Sequence, residues 1–158
     1  MICVFAGSFD PVTLGHVDIV KRGAAMTDKL YVVVMENVRK KCMFSVGQRL
    51  GMLEKALSGI ENVVVESHEG LLTDYVADKK ADFVIRGVRN AMDFEYERDM
   101  AVVNSQLGNV ETFLLITKPE YSGISSGLVR ELLQFGGDPR GFVPDEIIED
   151  LYGMNRGN

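Results

Sequence analysis

Apolar runs alternate with amphipathic stretches along this chain, and the alternation predicts its secondary structure. The run at 2–6 predicts a buried strand, because a strand that is covered on both faces lacks the polar alternation of an exposed one. Similar runs predict four further strands at 30–35, 63–65, 83–85 and 112–116. Strands that alternate with helices predict a Rossmann-like, doubly wound α/β fold with a five-stranded parallel sheet.

Helical periodicity fills the intervals between the predicted strands. The first helix carries His16 in its first turn and ends near 27–28, and the later ones cover 45–57, 71–79, 93–107, 125–135 and a last segment from Pro144. Ser45 with Gln48 predicts a capping box, and Ser125 predicts an N-cap. The tail after Gly153 is expected to fray. No linker or repeat divides the sequence, so residues 1–158 are interpreted as a single domain.

The composition narrows the class of partner. With 46% hydrophobic and 25% charged residues the chain resembles an ordinary globular protein. A formal net charge of −6 argues against a general nucleic-acid binder but leaves room for a small polyphosphate, which needs only a local cation cluster. Cys3 is predicted to lie in the core and Cys42 to be a surface thiol. No signal or membrane-spanning segment is found, so a cytoplasmic location without a membrane partner is expected.

Chemically useful side chains follow the predicted strands, at the edge where open α/β sheets bind ligands. The loop after the first strand carries Ser8 and leads to a helix whose N-terminus would attract phosphate beside His16. The other strand-end loops supply Lys40, Arg86, Arg89, Ser125 and Ser126. One imidazole, several cations, hydroxyls and two helix N-termini suit the binding and transfer of a polyphosphate.

Each of these residues has a plainer interpretation in isolation. A histidine at a helix start is usually a surface residue, the basic run 39–41 would be solvated, and Ser125 is explained as a cap. Gly87 directly after Arg86 suggests a backbone fitted to a ligand. The glycine motifs of dinucleotide-binding and P-loop proteins are absent. His68 lies in no motif and is interpreted as structural or surface.

Several motifs in order resemble those of bacterial phosphopantetheine adenylyltransferases, a family of the nucleotidyltransferase superfamily. They are the segments GSFDPVTLGH at 7–16, KKCMF at 40–44, IRGVRNAMDFEYE at 85–97 and YSGISSG at 121–127. Thr13 stands where many superfamily members carry a histidine, which is the pattern of this family. Gly127 replaces the family's third serine, and we expect a small effect because a helix N-terminus already presents N–H groups.

The resemblance, which covers essentially the whole chain, implies a transferase of coenzyme A biosynthesis. Such an enzyme transfers the adenylyl group of ATP to 4′-phosphopantetheine and releases dephospho-coenzyme A and pyrophosphate. The resemblance also implies Mg²⁺ shared with the nucleotide phosphates, with no metal ligands from protein side chains. A homohexamer is expected by resemblance, and coenzyme A is a candidate feedback ligand.

The same resemblance assigns roles to individual residues. His16 and Lys40 are the expected catalytic residues. The expected ATP-binding residues are Ser8, Phe9, His16, Gly87, Val88, Arg89, Glu97, Tyr121, Ser122, Gly123, Ile124, Ser125, Ser126 and Gly127. The residues expected to bind the second substrate are Ser8, Lys40, Leu72, Arg86 and Asn104.

Two other classes of function stay open at the level of the sequence. One is adenylyl or cytidylyl transfer to another phosphorylated acceptor, such as nicotinate mononucleotide or glycerol phosphate. Those relatives usually carry histidine in place of Thr13 and a different motif after the fifth strand. The other class is a non-catalytic nucleotide-binding module of similar fold, against which the presence of both His16 and Lys40 argues.

Overall fold

Five parallel strands form one sheet in the computed structural model, which describes residues 1–36 and 41–153. The strands are β1 (Ile2–Gly7), β2 (Lys29–Glu36), β3 (Val63–Glu69), β4 (Phe83–Val88) and β5 (Glu111–Ile116). Their order across the sheet is β3-β2-β1-β4-β5, so the winding direction reverses between β1 and β4. The carboxyl edge at such a reversal is where open α/β sheets bind ligands. The predicted fold class is confirmed.

The helices of the described residues lie between and after these strands. They are α1 (Leu14–Ala24), α2 (Val46–Leu57), α3 (Leu72–Lys79), α4 (Ala91–Gly108), α5 (Ser126–Gln134) and α6 (Ile148–Gly153), with 3₁₀ turns at Pro119–Tyr121 and Asp145–Ile147. The N–H of Gln48 donates to Ser45 Oγ at 3.3 Å while Gln48 Oε1 accepts from the N–H of Ser45 at 2.8 Å. The predicted capping box is therefore present.

Helices cover both faces of the sheet, and β1 is buried between them. Cys3, Val4, Phe5 and Ala6 are each no more than 5% exposed. One face, with Cys3 and Phe5, packs against buried side chains of α1, α2, α5 and α6. The opposite face, with Val4 and Ala6, packs mainly against α3. A strand enclosed in this way is apolar throughout, as its sequence predicts.

The helix α4 is long but has a single buried residue, Glu97. It spans 18 residues, and several of its apolar side chains are exposed. Among the helices that the structure describes, none has both the length and the apolar character that crossing a bilayer requires. The helix α4 nevertheless contributes side chains to the candidate active site.

All five strands are longer than predicted, and two of them extend at least three residues further at their carboxyl ends. The prediction ended β3 at Val65 and β4 at Ile85, but β3 continues to Glu69 and β4 to Val88. Their ends are fixed by pairing with neighbours, Glu69 with Glu36 and Val88 with Ile116, which local periodicity does not show. The predicted roles of Lys40 and the predicted fraying beyond Gly153 lie outside the described residues.

Candidate active site

Two cavities adjoin at the carboxyl ends of β1 and β4. The smaller has a volume of about 280 Å³ and the larger about 800 Å³. Both are lined by Ala6 and Gly7 at the end of β1, by Ser8 directly after it, by Arg86 of β4 and by Glu97 of α4. The shared wall means that molecules bound in the two cavities would meet at the β1 loop.

The smaller cavity gathers many of the residues predicted for ATP binding. Those that line it are Ser8, Phe9, His16, Gly87, Arg89, Glu97, Ser125 and Ser126. The other predicted ATP-binding residues line neither of the two cavities: Val88, Tyr121, Ser122, Gly123, Ile124 and Gly127. Thr13, Asp93 and Thr117 also line the smaller cavity and were not predicted to bind ATP.

The larger cavity holds the residues predicted for the second substrate. Ser8, Leu72, Arg86 and Asn104 all line it, whereas Lys40 lies outside the described residues. Most of its other walls come from the segment 69–71 and from α4. Cys42 lines it as well and is partly buried, so the prediction of a surface thiol misses its position beside the site.

His16 is oriented by the residue that caps its helix. The backbone N–H of Thr13 donates to His16 Nδ1 at 3.1 Å, and the Thr13 hydroxyl lies 3.1 Å from the same nitrogen. Because Nδ1 acts as the acceptor, the hydrogen of the neutral ring is on Nε2. His16 therefore has one ring donor that the helix cap does not use.

The surroundings of His16 keep its ring neutral. Burial, and after it the positive charges of Arg89 and Arg86, lower the pKa of His16 from 6.5 to about 4. The Phe9 ring lies 5.1 Å from the imidazole and the Phe5 ring 6.3 Å from it, measured between centroids. At neutral pH the residue can donate a hydrogen bond but does not bring a positive charge.

The β1 loop folds tightly around Phe9. Phe9 has a φ of 45°, a conformation that few residues other than glycine adopt. A Cβ on Gly7 would lie 3.0 Å from the Phe9 ring, so a larger residue there would press on the ring. Arg49, which is buried, donates to the Ser8 carbonyl oxygen at 2.8 Å. The hydrogen bond from Arg49 therefore holds the backbone of Ser8, which lines both cavities.

Arg86 is fixed on the shared wall by an ion pair that sequence reasoning missed. Its Nε and Nη2 donate to the two carboxylate oxygens of Glu97, each at 2.7 Å, and its Nη1 donates to the Ala6 carbonyl oxygen. Such a bidentate pair is strong and fixes the guanidinium plane. Glu97, which was expected on the nucleotide side, therefore lines both cavities as the partner of Arg86.

Arg89 links β4 to the start of α5. It donates to Asp93 Oδ2 at 2.8 Å and to the Ile124 carbonyl oxygen at 3.1 Å. The hydrogen bond from Arg89 lowers the pKa of Asp93 from its usual value. Arg89 is therefore held at the smaller cavity beside the N-terminus of α5, where Ile124 leads into Ser125.

The two hydroxyls at the start of α5 are already engaged. Ser125 Oγ accepts from the N–H of Leu128 at 3.1 Å, which confirms the predicted cap, and Ser126 Oγ donates to the Pro11 carbonyl oxygen at 2.7 Å. The backbone N–H groups of Ser126 and Gly127 lie in the first turn, where a helix offers no partner of its own. An anion at this end would find those N–H groups and the dipole of α5.

Gly87 has a packing role that the sequence did not indicate. A Cβ at this position would lie 3.0 Å from Ile19 Cγ1, so its absence lets α1 pack closely on β4. Close packing against Ile19 is thus a second explanation for the glycine after Arg86, besides the expected fit of the backbone to a ligand. Residues 1–36 and 41–153 contain no group of three or more His, Cys, Asp or Glu side chains that could hold a metal ion.

Comparison with known proteins places this arrangement among nucleotidyltransferases. The sequence profile of the cytidylyltransferase-like family matches residues 4–132. The phosphopantetheine adenylyltransferase of Clostridium perfringens is 47% identical over 149 residues, which are 94% of this chain and 91% of that protein. The protein of the same name from Caldanaerobacter subterraneus is 46% identical over 95% of this chain and 94% of its own length.

A further relative carries the same name, and a solved structure shares the fold. The phosphopantetheine adenylyltransferase of Thermotoga neapolitana is 42% identical over 96% of this chain and 95% of its own length. A crystal structure from Vibrio parahaemolyticus, of a protein proposed to be a nicotinate-nucleotide adenylyltransferase, superposes with a TM-score of 0.66. It covers 96% of this chain and 97% of that one at 16% identity, so the likeness concerns the fold.

Proposed function

The chain belongs to the phosphopantetheine adenylyltransferase family, and from this premise we propose how its two adjoining cavities divide the substrates. It is an enzyme of coenzyme A biosynthesis that transfers the adenylyl group of ATP to 4′-phosphopantetheine. The observation that carries the division is the shared wall, where Ser8 and Arg86 face both cavities.

The smaller cavity suits the triphosphate of ATP. At about 280 Å³ it is at the small end for a ligand site, so it would hold the phosphates rather than the whole nucleotide. Arg89 and the N-terminus of α5 supply positive charge and N–H groups for the β- and γ-phosphates. His16 Nε2–H would donate to the α-phosphate, where negative charge accumulates in the transition state.

The larger cavity suits the pantetheine arm. Leu72 and Met100 give it apolar walls, and Asn104 offers an amide that can pair with the amides of the arm, which would be costly to bury unpaired. The acceptor phosphate would then lie at the shared wall near Ser8 and Arg86. Lys40, expected by resemblance to bridge the two reacting phosphates, completes the proposal.

The proposed reaction needs alignment and charge stabilisation more than a base. A phosphate monoester has a second pKa of about 6 and is mostly dianionic at neutral pH, so it attacks without losing a proton to the protein. An oxygen of the acceptor phosphate forms a bond to the α-phosphorus, and the bond from that phosphorus to the bridging oxygen breaks. The bridging oxygen leaves with pyrophosphate and keeps the electron pair.

Magnesium is proposed as part of the nucleotide substrate. The described residues do not fit a metal centre held by protein side chains, so the ion would be carried by the phosphates, as is usual for Mg²⁺ with nucleotides.

Coenzyme A is proposed as a feedback ligand because it contains the same pantetheine arm joined to an adenosine nucleotide. A cytoplasmic location is proposed with the support that Cys3 and Cys42 are both free.

Self-association is proposed from the apolar surface of α4 and β5. Met92 is 81% exposed, Tyr96 61% and Ile116 68%, and β5 is an edge strand of the sheet. Exposed apolar side chains beside an unpaired strand edge favour burial against another copy of the chain. The hexamer expected by resemblance is the proposed product of that association.

The alternatives are not favoured. The relatives of 42–47% identity carry the name phosphopantetheine adenylyltransferase, whereas the likeness to a nicotinate-nucleotide adenylyltransferase is at 16% identity. Pyrophosphate release can test the assignment with ATP or CTP and with each of three acceptors: 4′-phosphopantetheine, nicotinate mononucleotide and glycerol phosphate. We expect rapid release only with ATP and 4′-phosphopantetheine. Equal turnover of nicotinate mononucleotide would contradict the assignment.

A further inference from the structure

A buried carboxylate ties the β1 loop to the segment that precedes α2. Asp10 is 2% exposed, and its Oδ2 accepts from the N–H of Met43 while its Oδ1 accepts from the N–H of Phe44, each at 2.9 Å. The neighbouring Cys42 lines the larger cavity. The carboxylate of Asp10 therefore fixes one wall of that cavity against the loop that carries Ser8.

The same part of the loop is tied to α5, which borders the smaller cavity. Arg130 Nη1 donates to the Asp10 carbonyl oxygen at 2.6 Å and lies 3.7 Å from Asp10 Oδ2. Ser126 Oγ donates to the carbonyl oxygen of the next residue, Pro11, at 2.7 Å. Asp10 thus stands between the segment 41–44 on one side and α5 on the other.

We propose that Asp10 is a positioning residue for adenylyl transfer, which aligns the two cavity walls so that the reacting phosphates meet in line. The proposal rests on the assignment of ATP and phosphopantetheine to these cavities. Asp10 lines neither cavity, so it acts through the backbone that it holds. Hydrogen bonds from two N–H groups to one buried carboxylate are charge-assisted and strong. A misplacement of about 1 Å between reactants can cost about a hundred-fold in rate.

A purely structural anchor would behave differently from a positioning residue. If Asp10 only stabilises the fold, its loss lowers the melting temperature and leaves the kinetics of the folded enzyme unchanged. If it aligns the walls, kcat falls although each substrate still binds in its own cavity. The split between kcat and the separate dissociation constants therefore distinguishes the two roles.

The test compares Asp10→Asn with Asp18→Asn. Asparagine keeps the size of Asp10 but sets an NH₂ group against one of the two N–H donors. Asp18 is a matched control, because it is also buried, pairs with Arg22 and Lys118, and lines neither cavity. We expect Asp10→Asn to lower kcat about ten- to hundred-fold with the dissociation constant of ATP little changed. Asp18→Asn should lose stability and keep its kcat.

A second variant keeps the proposal testable if Asp10→Asn does not fold. Arg130→Gln removes the contacts that join α5 to Asp10. The Arg130 side chain is 35% exposed, and its replacement should lower kcat in the same way. Where both variants fold, their effects on kcat should be less than additive, since each breaks one of the two links that join the walls through Asp10 and the loss of either link ends the alignment. Unchanged kcat in folded Asp10→Asn or Arg130→Gln would overturn the proposal. Wild-type enzyme that fails with 4′-phosphopantetheine would instead overturn the function itself.

Discussion

The N–H of Thr13 donates to Nδ1 of His16 over 3.1 Å, so the imidazole completes the cap of α1 and is oriented by that same contact. The third residue of a capping box is usually Glu or Gln, which accepts from the N-cap N–H. Here His16 fills the position, and Thr13 Oγ1 accepts from the N–H of His16 at 3.4 Å. The Thr-x-Gly-His order is therefore a helix start that also sets the tautomer of a proposed catalytic donor.

The first prediction separates the two tasks of His16. His16→Gln keeps an acceptor at the third position of the capping box, whereas His16→Ala removes both the acceptor and the imidazole. Both variants should lower kcat by about a hundred-fold or more, which is the usual cost of one lost transition-state donor. Only His16→Ala should also lose the stability of the cap, about 1 kcal/mol. Near-normal kcat with a raised KM would move His16 to a binding role.

The second prediction concerns stability below neutral pH. The pKa of His16 is about 4 in the folded protein and 6.5 for an ordinary histidine. Between these values the unfolded chain binds more protons at this site, so the free energy of unfolding falls as the pH falls from 6.5 to 4. His16→Gln has no such proton, and its loss of stability between pH 7 and pH 4.5 should be smaller. Urea unfolding at the two pH values measures the difference, and equal losses would contradict the neutral imidazole.

Local signals in the sequence predicted helix starts better than strand ends. The caps at Ser45 and Ser125 depend on residues three positions away, and both are present. The ends of β3 and β4 depend on pairing with Glu36 and Ile116, which no local pattern encodes. Sequence could therefore predict five strands and their order along the chain, but not how far two of them extend.

In the candidate site too, the sequence indicated residues that belong to motifs but not the contacts between distant segments. Ser8, His16 and Arg86, which belong to the motifs, all line the smaller cavity at the end of β1. Contacts between distant segments were not predicted. Glu97 of α4 lies eleven positions after Arg86 of β4, and its pairing with Arg86 depends on how the helix packs on the strand. Asp10 belongs to the motif at 7–16, but its bonds to Met43 and Phe44 span more than thirty residues, which a local motif does not show.

The third prediction is that Glu97 mainly affects binding of the acceptor and Arg89 mainly affects binding of ATP. Glu97→Gln removes the charge that fixes Arg86, and it should raise the KM of the acceptor about ten-fold, since a hydrogen bond to a charged group contributes about 1.5 kcal/mol. The dissociation constant of ATP should change less. Arg89→Ala should do the converse, because Arg89 lies beside α5 in the smaller cavity. Equal effects of both variants on both substrates would contradict the division.

The fourth prediction is that the departure at Gly127 is harmless. A Cβ there would lie 3.7 Å from Ser125 Oγ and 3.9 Å from Arg130 Nη2, which are ordinary contacts. Gly127→Ser should therefore fold normally and keep kcat and the KM of ATP, because the N–H groups of α5 are unchanged. Gly87→Ser is the contrast: its Cβ would press on Ile19, and it should lose about 1 kcal/mol or more of stability. A large gain in ATP affinity in Gly127→Ser would show that the missing hydroxyl matters.

The last prediction tests association through α4 and β5. Met92→Lys places a charge on an apolar side chain that is 81% exposed in the single chain and would be buried in the proposed assembly. An unpaired charge in a buried contact is costly, so the variant should sediment as a smaller species than the wild type at equal concentration. Met26→Lys is the matched control, because Met26 is 49% exposed and lies beyond the end of α1. Its sedimentation coefficient should equal that of the wild type. If Met92→Lys sediments like Met26→Lys, the residue does not lie in the contact, and a monomeric wild type would remove the proposed self-association altogether.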